Sequence, residues 1–158
     1  MELKELMEGL AAEAGAVGVE PDEGGAYHLG IDGMRISFLE AGGRLAVWAD
    51  VGEPPPEGRE RLFRTLLEST FMGEGAGGAA FAIDAKSGRV ILQRIEASGV
   101  LDLIGFKAML EKFVNVLEKW RKLVADFRDV APSLDAAAED ESVLMRQYGL
   151  GNEGVFRA

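Results

Sequence analysis

The strongest constraint on the fold is an apolar stripe in the last third of the chain. Between residues 103 and 127, large apolar side chains recur at alternating steps of three and four. This spacing places them on one face of a helix of about seven turns. The stripe is compatible with a coiled-coil seam or with a helix that covers a sheet, and the strand-rich sequence before it favours the covering helix. Its members are Leu103, Phe106, Leu110, Phe113, Leu117, Trp120, Val124 and Phe127.

Three strands are predicted near the start of the chain. Apolar residues alternate with other residues over 27–31, 34–38 and 45–49, which is the two-residue period of a half-buried strand. Asp32-Gly33 between the first two segments is a strong hairpin turn, and Gly42-Gly43 turns the chain again. We therefore expect an antiparallel meander.

Two further helices and a second hairpin complete the pattern. Residues 2–14 are amphipathic at helical spacing, and a second apolar helix is predicted to start near Glu57, after three consecutive prolines. Strands are predicted over 79–84 and 89–95. The resulting order is helix, three strands, helix, two strands, helix, which predicts an α+β fold with a mainly antiparallel sheet.

The composition divides the chain into one domain and a tail. A length of 158 residues fits a single domain. After Pro132 the sequence becomes Ala-rich and acidic over residues 134–142, and residues 143–148 suit a short helix. We predict a domain over residues 1–130 and a C-terminal tail over residues 131–158.

Charge and residue usage exclude several classes of protein. Seventeen Lys and Arg against 27 Asp and Glu give a net charge of −10, which repels nucleic-acid phosphates and anionic lipid. The chain has no cysteine, no apolar run long enough to span a bilayer, and no signal-peptide pattern at its first residues. We expect a cytoplasmic protein that binds neither nucleic acid nor membrane.

No credible active site emerges from the residues. His28 is the single histidine, no Gly-x-Ser-x-Gly elbow is present, and we interpret His28 as a packing or surface residue. Gly73, Gly75 and Gly78 match a dinucleotide-binding pattern, but they follow a helix and precede a strand, the reverse of the required order. The abundant aspartates leave an acid-dependent hydrolase as a formal alternative. The prediction is a protein without catalytic residues, cofactor or metal.

What remains is a protein that binds other proteins. The second predicted helix is unusually apolar on one side, and the first helix and the meander carry more apolar residues than one small sheet face needs. A sheet covered on one face leaves an edge and a second surface for a partner.

Several segments, in order, resemble the type III secretion chaperones of the Tir-chaperone type. The resemblance covers residues 3–127, and the tail lies outside it. The segments are Leu29-Gly30-Ile31-Asp32-Gly33 in the first hairpin, Leu66-Leu67-Glu68-Ser69-Thr70-Phe71-Met72 in the second helix, Gly77-Gly78-Ala79-Ala80-Phe81-Ala82-Ile83-Asp84 with Ser87-Gly88-Arg89-Val90-Ile91-Leu92 in the next hairpin, and Leu101-Asp102, Phe106, Leu110-Glu111-Lys112-Phe113-Val114 and Glu118-Lys119-Trp120 in the last helix.

The resemblance implies a homodimer, without enzymatic activity or ATP use, that holds the N-terminal segment of a secreted effector in extended form. It names the secretion-system ATPase as a further candidate partner. The implied dimer contacts are Leu62, Leu66, Leu67, Phe71 and Phe81. The implied residues for client contact, or for the core behind it, are Leu3, Leu6, Leu10, Leu29, Ile36, Phe38 and Val47.

Two alternatives stay open from the sequence. The same fold class also suits a binding or regulatory module outside secretion. The tail either solubilises the protein or docks its apolar residues on the chaperone's own client groove. Those residues are Leu144, Tyr148, Leu150, Val155 and Phe156.

Overall fold

A computed structural model describes residues 1–14 and 19–128 of the chain. It confirms the α+β fold and the predicted order of elements. The tail predicted over 131–158 and the short helix predicted over 143–148 lie outside the described residues. The elements are α1 (Leu3–Ala14), β1 (Tyr27–Ile31), β2 (Met34–Ala41), β3 (Arg44–Gly52), α2 (Arg59–Thr70), β4 (Ala80–Ile83), β5 (Val90–Ala97) and α3 (Leu103–Asp126), with a single 3₁₀ turn at Phe71–Gly73.

The five strands form one antiparallel sheet in the order β1-β2-β3-β5-β4. The predicted hairpin turn is confirmed, because Asp32 (φ 49°) and Gly33 (φ 75°) both adopt the left-handed conformation that a two-residue turn between twisted strands requires. Since β5 inserts between β3 and β4, the sheet ends at β1 on one side and at β4 on the other. These two edge strands are the positions at which another chain can pair.

The helix α3 covers the sheet, as the apolar stripe predicts. Six of the eight stripe residues are buried, with Phe106, Leu117 and Trp120 fully inaccessible to solvent, and Leu103 and Phe127 at the two ends are partly buried. The Phe106 ring lies 5.6 Å from the Phe38 ring of β2. Asp102 caps the helix by accepting a 2.7 Å hydrogen bond from the Gly105 amide, which satisfies an otherwise unpaired donor. The coiled-coil alternative is therefore excluded for this face.

The start of α2 differs from the prediction. The helix begins at Arg59, two residues after Glu57, because Gly58 before it adopts the left-handed conformation (φ 74°). Proline holds the residue before it in an extended conformation, so the chain cannot turn into the helix until the prolines have passed.

The glycine-rich segment between α2 and β4 packs closely against α3 and α2. A Cβ atom added at Gly77 would lie 2.7 Å from Val116 Cγ2, and one added at Gly75 would lie 2.9 Å from Ser69 Cβ. Trp120 Nε1 donates a 3.0 Å hydrogen bond to the Gly75 carbonyl. The glycines therefore serve close packing, which explains why a nucleotide-binding pattern occurs here without its structural context.

We expect Gly77→Ala to lower the free energy of unfolding by about 2–4 kcal/mol, since it adds a steric clash to the cost of a left-handed alanine. Gly88→Ala is the matched control: Gly88 has a similar φ of +71°, but no atom lies within 4 Å of its added Cβ. It should cost only about 1–2 kcal/mol. Urea titrations followed by circular dichroism measure both. Equal losses would contradict the close-packing explanation.

Candidate protein-binding surface

Four of the eight large apolar side chains that are exposed within residues 1–14 and 19–128 lie at the end of α2 and on the neighbouring edge strand β4. Leu67, Phe71 and Met72 expose 67%, 76% and 79% of their surface, and Ile83 on β4 exposes 46%. A groove of about 290 Å³ runs between the helix and the strand. We call this area the α2/β4 surface; it comprises the groove-lining residues Phe63, Leu66, Leu67, Phe81, Ala82 and Ile83 together with the adjoining Phe71 and Met72.

The three hydroxyl side chains of α2 donate hydrogen bonds within the helix, which reduces the polarity of this area. Thr65 and Ser69 donate hydrogen bonds to the carbonyls of Arg61 and Thr65, four residues earlier, at 2.9 and 2.8 Å. Thr70 does the same toward Leu66 at 3.0 Å, and its hydroxyl also accepts a 3.3 Å bond from the Phe81 amide. That last contact joins β4 to the end of α2 and holds the two walls of the groove together.

The five predicted dimer contacts all lie in this region but differ in exposure. Leu67 and Phe71 point outward, and Phe81 is half-buried with its ring 4.8 Å from that of Trp120. Leu62 and Leu66 are 0% and 3% exposed, so most of their surface is already covered by their own chain.

Several residues of the α2/β4 surface were not among the predicted contacts. Ile83 was missed although it lies two residues after Phe81, on the same side of β4. Phe63 and Met72 are adjacent in sequence to Leu62 and Phe71. The two-residue period of a strand could have identified Ile83, because it places residues 81 and 83 on the same side of β4.

The seven residues named for client contact or for the core behind it are mostly interior. Five of them are at most 3% exposed, and Leu10 and Leu29 are partly buried. The interior five belong to α1, β2 and β3 and form part of the hydrophobic core. They are Leu3, Leu6, Ile36, Phe38 and Val47.

The sheet presents a second apolar area on the face that carries Trp48. Ile95 on this face is 53% exposed, and Trp48 and Ile91 are half-buried beside it. Ala82 and Ile83 line both this area and the α2/β4 groove, so the two areas are continuous around the β4 edge.

The structure places Asp22, His28 and Ser37 in a hydrogen-bonded chain. His28 Nε2 lies 2.9 Å from Asp22 Oδ2, and His28 Nδ1 lies 2.9 Å from Ser37 Oγ. Ser37 is only 7% exposed and lies in the middle of β2, so its hydroxyl cannot reach a substrate carbonyl. These hydrogen bonds connect the turn before β1 to strand β2 of the sheet. They support the interpretation of His28 as a packing residue.

Two further aspartates have structural partners, which weakens the acid-dependent hydrolase alternative. Asp50 accepts a 2.6 Å hydrogen bond from Arg89, and Asp84 accepts bonds from the Lys86 amide and the Ser87 hydroxyl within its turn. Over residues 1–14 and 19–128, no group of three His, Asp or Glu side chains is arranged to hold a metal ion. In the same ranges no helix is both long and apolar enough to cross a bilayer.

Acid should weaken the turn before β1. The hydrogen bond from His28, followed by that from the Ala26 amide, holds the pKa of Asp22 below its usual value, and the Ser87 hydroxyl does the same for Asp84. A lowered pKa stabilises the fold above the unfolded value, about 3.9, and the contribution is lost as the pH falls through the folded value.

We therefore expect the urea midpoint of the wild type to fall as the pH drops below about 4. Asp22→Asn should make the midpoint less sensitive to pH. Some decrease should remain, because Asp84 still contributes. Glu23→Gln, in the same turn, is the control and should leave the profile unchanged. A wild-type profile that Asp22→Asn does not alter would show that the hydrogen bonds of Asp22 carry no pH-dependent stability.

An antiparallel sheet covered by helices, with an apolar helix–strand surface left exposed, defines a protein-binding domain. Residues 5–121 match the Tir chaperone protein (CesT) family. The match spans most of the chain, and this protein belongs to that family, which is a class of chaperones rather than of enzymes.

Solved structures share the fold. One chain in the crystal structure of the ExsC-ExsE complex is 26% identical, with a TM-score of 0.65 over 78% of this chain and 97% of its own. A chain of the HopA1-SchA chaperone-effector complex is 16% identical (TM-score 0.63; 75% and 92% covered). A chain of the Yersinia pestis type III secretion chaperone SycH with a fragment of YscM2 is 17% identical (TM-score 0.59; 74% and 98% covered). A comparison with curated protein sequences found no significant match.

Proposed function

We propose that this protein is a homodimeric type III secretion chaperone that holds the N-terminal segment of an effector in extended, soluble form. The observation that carries the proposal is the family match over residues 5–121, which contains nearly all of the described fold. The 26% identity to a chain from the ExsC-ExsE complex supports it. A cytoplasmic location and the absence of catalytic activity belong to the same proposal, with the secretion ATPase as a further partner.

The α2/β4 surface supports the dimer. Contiguous apolar side chains as exposed as Leu67, Phe71 and Met72 are rare on a monomeric soluble protein and mark a protein interface. A two-fold axis beside α2 would bring the same residues of both protomers together and bury them in the apolar centre of a self-complementary contact. We place the dimer interface there, with Leu67, Phe71 and Phe81 in direct contact and Leu62 and Leu66 supporting them from the core.

The client would bind at the opposite edge of the sheet from the dimer contact. With β4 beside the proposed dimer contact, β1 is the other edge of the sheet that the described strands form. An extended peptide can pair with such an edge through its main chain, while alternate side chains fill apolar pockets. Leu29 on β1 is half-buried and accessible there, whereas the interior residues beneath it shape the surface without touching the client.

Coexpression with effectors of the same bacterium tests the function. We expect the N-terminal segment of one effector to co-purify, and the folded remainder of the same effector, used as the control, to stay unbound. Amide exchange on the complex should show client amides protected only in short bound stretches, because the client is held without a globular fold. Binding of the folded part alone would contradict the proposal.

A further inference from the structure

One residue of the α2/β4 surface has an unfavourable backbone conformation. Met72 has φ 57° and ψ 8°, and Phe71 before it has φ −57° and ψ 124°. Together these are the angles of a type II β-turn, whose third residue must have a positive φ and is usually glycine or asparagine. A methionine in this conformation brings its Cβ atom too close to the following carbonyl oxygen, which makes the turn strained.

Hydrogen bonds on both sides hold this turn in place. On one side, the Thr70 hydroxyl accepts a 3.3 Å hydrogen bond from the Phe81 amide of β4. On the other side, the Gly73 carbonyl accepts a 2.8 Å hydrogen bond from the Gly78 amide. Met72 therefore lies between two attachments, one to β4 and one to the segment that leads into it.

The packing of the protomer does not account for a methionine at this position. Met72 is 79% exposed, so its own chain leaves most of the side chain uncovered. Over residues 1–14 and 19–128, the other non-glycine residue with a positive φ is Asp32. Aspartate adopts this conformation more readily than most residues and is favoured in a two-residue hairpin turn. Met72 has no comparable local explanation.

We propose that Met72 is a contact residue of the dimer, and that its left-handed conformation directs the side chain toward the second copy of the chain. Met72 is continuous with exposed Phe71 and Leu67, which we place in the same contact. Its unbranched thioether side chain can adapt to the surface that faces it. Burial in the two-fold contact would offset the cost of the turn, which the isolated protomer does not recover. The role of Met72 rests on the proposed dimer, whereas the strain of its turn does not.

Three substitutions of Met72 separate the side chain from the backbone. Met72→Gly removes both the side chain and the strain, whereas Met72→Ala removes most of the side chain and keeps the strain. Met72→Leu keeps an apolar side chain of similar size. Asp32→Gly is the matched control, because it changes the other left-handed position, in the β1–β2 turn outside the α2/β4 surface.

We expect the dimer Kd to rise about 30-fold for both Met72→Gly and Met72→Ala, because each dimer loses two apolar side chains from its contact. Met72→Leu should restore most of the affinity that Met72→Ala loses, and Asp32→Gly should leave the Kd unchanged. Sedimentation equilibrium over a range of concentrations measures these values.

The stability of the single protomer provides the second measurement. In a Leu67→Glu background, where we expect a monomer, Met72→Gly should raise the urea midpoint. The strain that it removes exceeds the cost of the extra freedom that glycine has in the unfolded chain. Met72→Ala should leave the midpoint unchanged, since it keeps the strain and removes a side chain that the protomer does not pack.

Two results would overturn the role of Met72 and leave the dimer standing. One is a Kd that Met72→Ala does not change, although Leu67→Glu separates the protomers. The other is a lower urea midpoint for Met72→Ala in the monomeric background, which would show that the side chain serves its own protomer. A wild-type protein that is monomeric at every concentration would instead overturn the proposed dimer, and the role of Met72 with it.

Discussion

Replacing Leu67 by glutamate is expected to separate the proposed dimer into folded monomers. Leu67 is 67% exposed on the protomer, so a carboxylate there stays hydrated in the monomer and does not disturb the core. In a two-fold interface the substitution occurs twice, and each buried, unpaired carboxylate costs about 2 kcal/mol or more. The dimer Kd should therefore rise roughly 10³-fold. Sedimentation equilibrium over a range of concentrations measures it.

Two further variants make this result specific. Ile104 is an even more exposed apolar residue (77%) at the start of α3, outside the α2/β4 surface, and Ile104→Glu should leave the Kd unchanged. Leu66→Glu is not a valid interface test, because Leu66 is 3% exposed and a charge there would unfold the protomer. A Leu67→Glu variant that dimerises like the wild type would remove the α2/β4 surface from the interface.

The second large effect is expected at Trp120. Its side chain is fully buried, its Nε1 bonds to the Gly75 carbonyl, and its ring packs edge-on against Phe81 of β4. It therefore joins α3 to the glycine-rich segment and to the edge strand of the α2/β4 surface. Trp120→Ala should lower the free energy of unfolding by about 3–5 kcal/mol, through lost burial and the cavity left behind.

Trp120→Phe separates the two contributions. It keeps a ring in contact with Phe81 but loses the hydrogen bond to Gly75, and we expect a smaller loss of about 1–3 kcal/mol. Urea unfolding is best measured in the Leu67→Glu background, so that dimer formation does not add to the apparent stability. A loss below about 1.5 kcal/mol for Trp120→Ala would show that this packing is not a main support of the fold.

The local features of the fold were predictable because their causes are local. The turn at Asp32-Gly33 depends on two residues that accept left-handed backbone angles, and the stripe of α3 depends on the helical period alone. The pairing of β3 with β5 is different, because it joins strands separated by α2 and β4. Periodicity carries no information on such non-local partners.

The binding surface was predictable only in part. Apolar residues of α2 lie on the side facing the core and also on the adjoining flank beside β4, so a helical period does not distinguish buried Leu66 from exposed Leu67. Five of the seven residues named for client contact or for the core behind it proved interior for a related reason. A residue in a core and one in an exposed pocket have the same chemistry, and only the positions of neighbouring elements separate them.

The most direct test of the proposed function is the mass of the complex in solution. Light scattering after size exclusion should be run on the protein alone and on its complex with the coexpressed N-terminal segment of an effector. The proposed function predicts the mass of two 17.0 kDa chains for the protein alone, and of two chains plus one client segment for the complex. A protein that stays monomeric in both samples, or forms no complex with any effector segment, would contradict it.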